Sequence, residues 1–196
     1  MKRTAIVYRK TQETDISLDI NLDGIGSYSI ETPVGFLNHM LEQLSKHSLI
    51  DLSIRASGDS EVDNHHVIED TAIALGEALL KAVGEKKGIN RYGYFLLPMD
   101  EVLIACSIDL SGRMSFETNY RPKREMVNDL PTEMIRHFFK SLTEAAKMNL
   151  HFQFLNAGEN EHHRIEAMFK ALGRSLRMAV EQDPRIQSVP STKGTL

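Results

Sequence analysis

Apolar and polar residues alternate with a period of two over Asp15 to Asp23, placing Ile16, Leu18, Ile20 and Leu22 on one face and Asp15, Ser17, Asp19 and Asn21 on the other. That period is the mark of a half-buried strand. A shorter strand precedes it at Ile6 to Arg9, Asp23-Gly24 makes a turn, and Ser27 to Thr32 returns as a third. Past Pro33 the period lengthens: Phe36, Leu37, Met40, Leu41 and Leu44 share one side of a helix over roughly Val34 to His47. A strand at Leu49 to Ala56 and a long helix at about Asn64 to Gly84 complete this set. The same order then recurs. Strands fall at Tyr94 to Leu97, Val102 to Leu110 and Met114 to Thr118, followed by a hydrophilic insertion from Asn119 to Asp129. A helix from Pro131 to about Lys147, a strand at His151 to Leu155 and a helix ending near Glu181 follow.

Fixed offsets tie the two halves together. Glu13 lies eleven residues before Gly24, and Glu101 eleven before Gly112; Pro33 precedes His39 by six, and Pro131 precedes His137 by six. The chain is an internal duplication of a β-β-β-α-β-α unit, with repeats over approximately 1–88 and 89–196. Each copy alone would bury little. The expected fold is α+β, with four helices packed between two four-stranded sheets as a single body over residues 1–196.

The repeat also duplicates a cluster of chemistry. Asp63-Asn64-His65-His66-Val67-Ile68-Glu69 and Asn160-Glu161-His162-His163-Arg164-Ile165-Glu166 both read His-His-x-x-Glu at a helix start. On a helix, His65 and Glu69 share a face, and His66 flanks it from the other side. With His39 and His137 from the preceding helices, the set is His39, His65, His66, Glu69, His137, His162, His163 and Glu166. Six imidazoles and two carboxylates divide most simply into two metal sites of three His and one Glu. Four such donors suit a closed tetrahedral ion or an octahedral one with two open positions. His151 falls in a strand pattern and reads as structural.

Composition narrows the class. A formal charge of −4 argues against general nucleic-acid binding. Cys106, the only cysteine, permits no intramolecular disulfide and fits a reducing, cytoplasmic compartment. The N-terminal stretch turns charged too soon for a signal peptide, and no apolar run reaches the roughly 18 to 20 residues that span a bilayer.

Gly35-Phe36-Leu37-Asn38-His39-Met40-Leu41, the two His-His-x-x-Glu segments, Asp109-Leu110-Ser111-Gly112-Arg113 and Pro190-Ser191-Thr192-Lys193-Gly194 together resemble the imidazoleglycerol-phosphate dehydratase family from about Arg3 to Leu196. Asn38 stands where many relatives carry Asp, and Val67-Ile68 where many carry a polar pair. The resemblance implies a lyase of histidine biosynthesis that dehydrates imidazole glycerol phosphate to imidazole acetol phosphate by way of a metal-bound imidazolate. It implies two Mn(II) ions per chain on the eight ligands, and a homo-oligomer of 24 subunits with metal sites where subunits meet. Catalytic roles fall to Glu13 as proton-transfer base and to His39, His66 and Glu166. Substrate contacts fall to Glu13, Gln43 and His47, and phosphate contacts to Arg91, Arg113, Lys170, Ser191, Thr192 and Lys193. Two rival readings are a di-metal hydrolase, which usually relies on more bridging carboxylates, and a metal-storing shell, which leaves the basic set without a task.

Overall fold

The alternating segment forms β2 (Thr14–Asn21), whose Thr14, Ile16, Leu18 and Ile20 are buried as the pattern requires. It pairs antiparallel with β1 (Thr4–Lys10) on one side and β4 (Asp51–Gly58) on the other. The computed structural model describes residues 2–195. In it β3 (Tyr28–Glu31) does not lie beside β2; it pairs parallel with β4, giving the order β1-β2-β4-β3. The chain after β2 is carried across the end of β4 by Asp51, whose carboxylate accepts from the backbone N–H groups of Ile25 and Ser27, both at 2.9 Å. A parallel neighbour needs a crossover connection, which is α1 (Gly35–Ser48). The helix α2 (His65–Val83) follows.

The second half repeats the plan. Strands β5 (Tyr92–Met99), β6 (Val102–Asp109), β7 (Ser115–Thr118) and β10 (Asn149–Asn156) form the second sheet in the order β5-β6-β10-β7, with β7 parallel to β10. Its helices are α3 (Glu133–Ala146) and α4 (Glu161–Val180). Even the helix ends agree: α1 and α3 close on Leu49 and Lys147, both left-handed at φ 61° and 50°. The insertion departs from the plan, since Met126–Val127 and Leu130–Pro131 pair as a small hairpin, β8 and β9.

All four helices lie between the sheets, and they pair across the duplication: α1 packs on α4, and α2 on α3. One continuous core therefore runs through both halves, from Leu18, Leu37 and Met40 to Phe138, Phe139, Phe152 and Phe169. None of the described helices is long and apolar enough to cross a membrane.

At Gly93 the sheet meets α4 backbone to backbone. A Cβ there would collide with the carbonyl oxygen of Ser175 and sit 2.9 Å from the Ala179 nitrogen. Gly93→Ala should lower stability by about 1–3 kcal/mol, the usual cost of overpacking a core, read as a reduced denaturation midpoint.

Candidate metal centre

Cross-pairing of the helices decides which candidate ligands meet. His39 on α1 joins His162 and Glu166 on α4, and His65 and Glu69 on α2 join His137 on α3, with donor atoms in each group within 4.8 Å of one another. In the first group the Glu166 Oε2 atom lies 3.0 Å from His162 Nε2 and 4.0 Å from His39 Nε2. In the second, Glu69 Oε1 lies 3.0 Å from His137 Nε2, and Oε2 lies 3.6 Å from His65 Nε2. Both helices that carry the double histidine begin alike: Asp63 accepts from the His65 N–H at 2.7 Å, and Asn160 from the His162 N–H at 3.0 Å.

The expected division into three histidines and one glutamate per site is not reached within one chain. Six of the eight residues form the two groups. His66 and His163 stand outside them, because adjacent helix positions differ by about 100° in direction. His66 Nδ1 lies 3.1 Å from Asp59, and His163 Nδ1 lies 3.0 Å from Glu101.

The donor chemistry fits a metal ion. His137 Nε2 is buried without a well-directed hydrogen bond, although a carboxylate oxygen stands 3.0 Å away. A buried polar atom left unsatisfied is costly, and a cation between imidazole and carboxylate would satisfy both. Burial opposes ionisation of Glu166, but the hydrogen bond from Lys170 at 2.8 Å and the nearby His39 and His162 outweigh it, holding the carboxyl below its ordinary range. Glu166 is thus held as an anion. His47, farther along α1, is pushed down by burial and then by the cations Lys170 and Arg174. Gln43, on the same helix, is half-buried.

One residue beside a candidate ligand, and one loop, have duties that the sequence did not announce. Asn38 is tied to the strand end before α1: its amide accepts from the Thr32 N–H at 3.0 Å and donates to the Thr32 carbonyl at 3.1 Å. An aspartate could make only the first of these bonds. The insertion is the larger surprise. Asp129 accepts from the N–H groups of Gly35 and Phe36 at 2.6 and 3.0 Å, capping α1 ahead of His39. At its other end Tyr120 is almost wholly buried and donates to Glu161 at 2.6 Å. Glu161 also accepts from the Lys123 N–H and from Arg164, both at 2.8 Å. One loop therefore holds the starts of both α1 and α4.

The expected phosphate contacts separate. Lys170 stays with Glu166. Arg91, Arg113, Ser191, Thr192 and Lys193 instead line one open cavity of about 640 Å³. The C-terminal tail is tied down there rather than loose: the Gly88 N–H donates to the Ser188 carbonyl at 3.3 Å, and Arg91 donates to the Pro190 carbonyl at 2.9 Å. Asp109 takes two more Arg91 bonds, at 2.6 and 3.0 Å, which leaves two of the five guanidinium donors. This cavity follows the C-terminal end of α4, whereas His162 and His163 open its N-terminal end. The Arg91 N–H donates to the Ala179 carbonyl, and at 1.5 Å per residue Ala179 lies roughly 24 Å along α4 from His163.

Residues 32–176 match the family model described as imidazoleglycerol-phosphate dehydratase. The chain belongs to the imidazoleglycerol-phosphate dehydratase family. An imidazoleglycerol-phosphate dehydratase of Lachnoclostridium phytofermentans is 50% identical over 196 residues, covering all of both chains. The histidine biosynthesis bifunctional protein HisB of Bacteroides fragilis is 53% identical over 195 residues, which is all of this chain and 51% of that one. The chain thus spans about half the length of its bifunctional relatives and the whole of single-function ones. Among solved structures, the family member from Staphylococcus aureus superposes with a TM-score of 0.83 at 36% identity, covering 92% of this chain and 99% of that one. The one from Pyrococcus furiosus gives 0.82 at 33% identity, covering 97% and 100%.

Glu161 and Arg164 form a buried ion pair directly beside His162 and His163. Removing one partner of such a pair strands the other charge, at about 3–5 kcal/mol. Glu161→Ala should show that loss in urea titrations of the metal-free protein.

Proposed function

We propose that the chain is a metal-dependent hydro-lyase that converts imidazole glycerol phosphate to imidazole acetol phosphate and water in histidine biosynthesis. The observation that carries this reading is the conjunction of two His/Glu groups, one with an unsatisfied buried Nε2, and a separate cationic cavity on a chain of this family. The substrate has matching parts: an imidazole ring with two nitrogens for two ions, and a phosphate for the cations.

Two Mn(II) ions per chain are assigned to His39, His65, His66, Glu69, His137, His162, His163 and Glu166. When bound, these ions supply Lewis acidity that favours the electron-rich, deprotonated imidazole ring. The protein's residues manage the rest. Glu13 is exposed, with Oε1 3.8 Å from His66 Nε2, and its carboxylate receives the proton from the second side-chain carbon. Hydroxide departs from the carbon next to the ring, and the resulting enol becomes the ketone. Gln43 and His47 on α1, and Lys170 beside Glu166, orient the substrate. Arginine forks and a lysine point charge at Arg91, Arg113 and Lys193, with the Ser191 and Thr192 hydroxyls, hold the phosphate.

The roughly 24 Å of helix between His163 and the Arg91 contact at Ala179 is too long for one small substrate to bridge within a chain. The reading therefore includes a homo-oligomer, assigned 24 subunits, in which one copy's basic cavity meets another's ligands. His66 and His163 then complete sites on neighbouring subunits. A lone free Cys106, buried in β6, accords with a cytoplasmic setting.

Chelator-stripped protein should show no turnover of imidazole glycerol phosphate and should regain it on adding Mn(II). Metal binding without turnover would overturn the dehydratase reading in favour of storage or hydrolysis. Lys193→Ala should raise KM at least tenfold while leaving metal binding intact; an unchanged KM would remove the tail from the substrate site.

A further inference from the structure

The two halves place equivalent glutamates, Glu13 and Glu101, each eleven residues before a turn glycine. The structure gives them different nitrogens. Glu101 Oε2 lies 3.0 Å from Nδ1 of His163, on the ring edge nearer the backbone. Glu13 Oε1 lies 3.8 Å from Nε2 of His66, at the ring tip. In the first half the Nδ1 edge is held by another residue: both carboxylate oxygens of Asp59 lie 3.1 Å from His66 Nδ1. At the 97-residue offset that relates His65 to His162, the counterpart of Asp59 is Asn156, whose side chain accepts from the Gly158 N–H at 3.4 Å instead.

Resting on the metal assignment above, we propose that Asp59 and Glu101 are positioning residues that fix the rings of His66 and His163 and leave each Nε2 as the metal-binding nitrogen. An ionised carboxylate only accepts hydrogen bonds, so Nδ1 must carry the proton. The neutral ring then has its lone pair on Nε2, and the bond also fixes ring rotation. These are the two histidines that stand outside the two groups shared between helices. Among the described residues, the only such cluster around His163 is the carboxylate pair Asp100 and Glu101 on its Nδ1 side, so both rings depend on carboxylates at Nδ1 to remain aimed for a site completed by another copy. Carboxylates behind ligating histidines characteristically tune affinity in this way. The duplication has thus been edited: Asp59 takes over orientation in the first half, which releases Glu13 to face the ring tip and the reacting substrate.

Equilibrium dialysis of the metal-free full-length protein against Mn(II) tests this. Asp59→Ala and Glu101→Ala should each weaken binding of one ion per chain by about 10- to 100-fold. Asp59→Asn and Glu101→Gln keep an acceptor oxygen and should recover most of that loss. Asp59 is the cleaner probe, because His66 is its only side-chain hydrogen-bond partner among the described residues, so the metal-free melting temperature of Asp59→Ala should stay at the wild-type value. Glu101 also accepts from the Asn160 N–H at 3.0 Å, and Glu101→Gln controls for that contact. Wild-type affinity in both alanine variants would overturn the proposal. Failure of the wild-type protein itself to bind Mn(II) would instead overturn the metal assignment beneath it.

Discussion

Packing of helices across the duplication is the constraint on which the rest of the molecule depends. Within a half, α1 and α2 do not bring their ligands together. His39 meets His162 and Glu166 only because α1 lies on α4, and His65 and Glu69 meet His137 only because α2 lies on α3. The same contact buries the apolar faces that neither half could cover alone. Core formation and assembly of the donor groups are therefore one event. Bringing imidazoles and carboxylates so close has a desolvation cost, and the shared core is the main favourable term available to offset it.

Much of this was legible in the chain because it repeats. Period-two and period-3.6 patterns located the strands and helices, and the equal offsets exposed the duplication with its two His-His-x-x-Glu starts. Strand pairing was not legible: Ser27 to Thr32 reads as a returning hairpin, but the strand goes to the far side of β4. The device responsible is a side chain, Asp51, accepting two backbone bonds across a turn. Helix spacing put His65 on the Glu69 face and His66 to one side, but it could not say which helix that face would meet; only the placement of α3 brings His137 to it.

The basic residues carry a similar lesson. Arg91, Arg113 and Lys193 are scattered over a hundred positions, and the family resemblance rather than any pattern drew them together. The fold gathers them because the tail doubles back past Gly88 to reach the start of β5. Lys170 differs since it sits one helical turn beyond Glu166, where helix geometry binds it to the carboxylate. Local helix spacing makes that pair, and non-local return of the chain made the other group.

The Asn119 to Asp129 segment inverts the usual expectation for loops. Polar, and absent from the first half, it has the composition of a connection free to vary in length. Yet Tyr120 and Lys123 are fastened to Glu161 on one side, and Asp129 caps α1 on the other. Its span is set by two rigid bodies at once. Lengthening or trimming it by even one residue would pull a cap from α1 or a buried hydroxyl from Glu161. Where this chain can be spliced or decorated is therefore decided by anchoring, not by hydrophilicity.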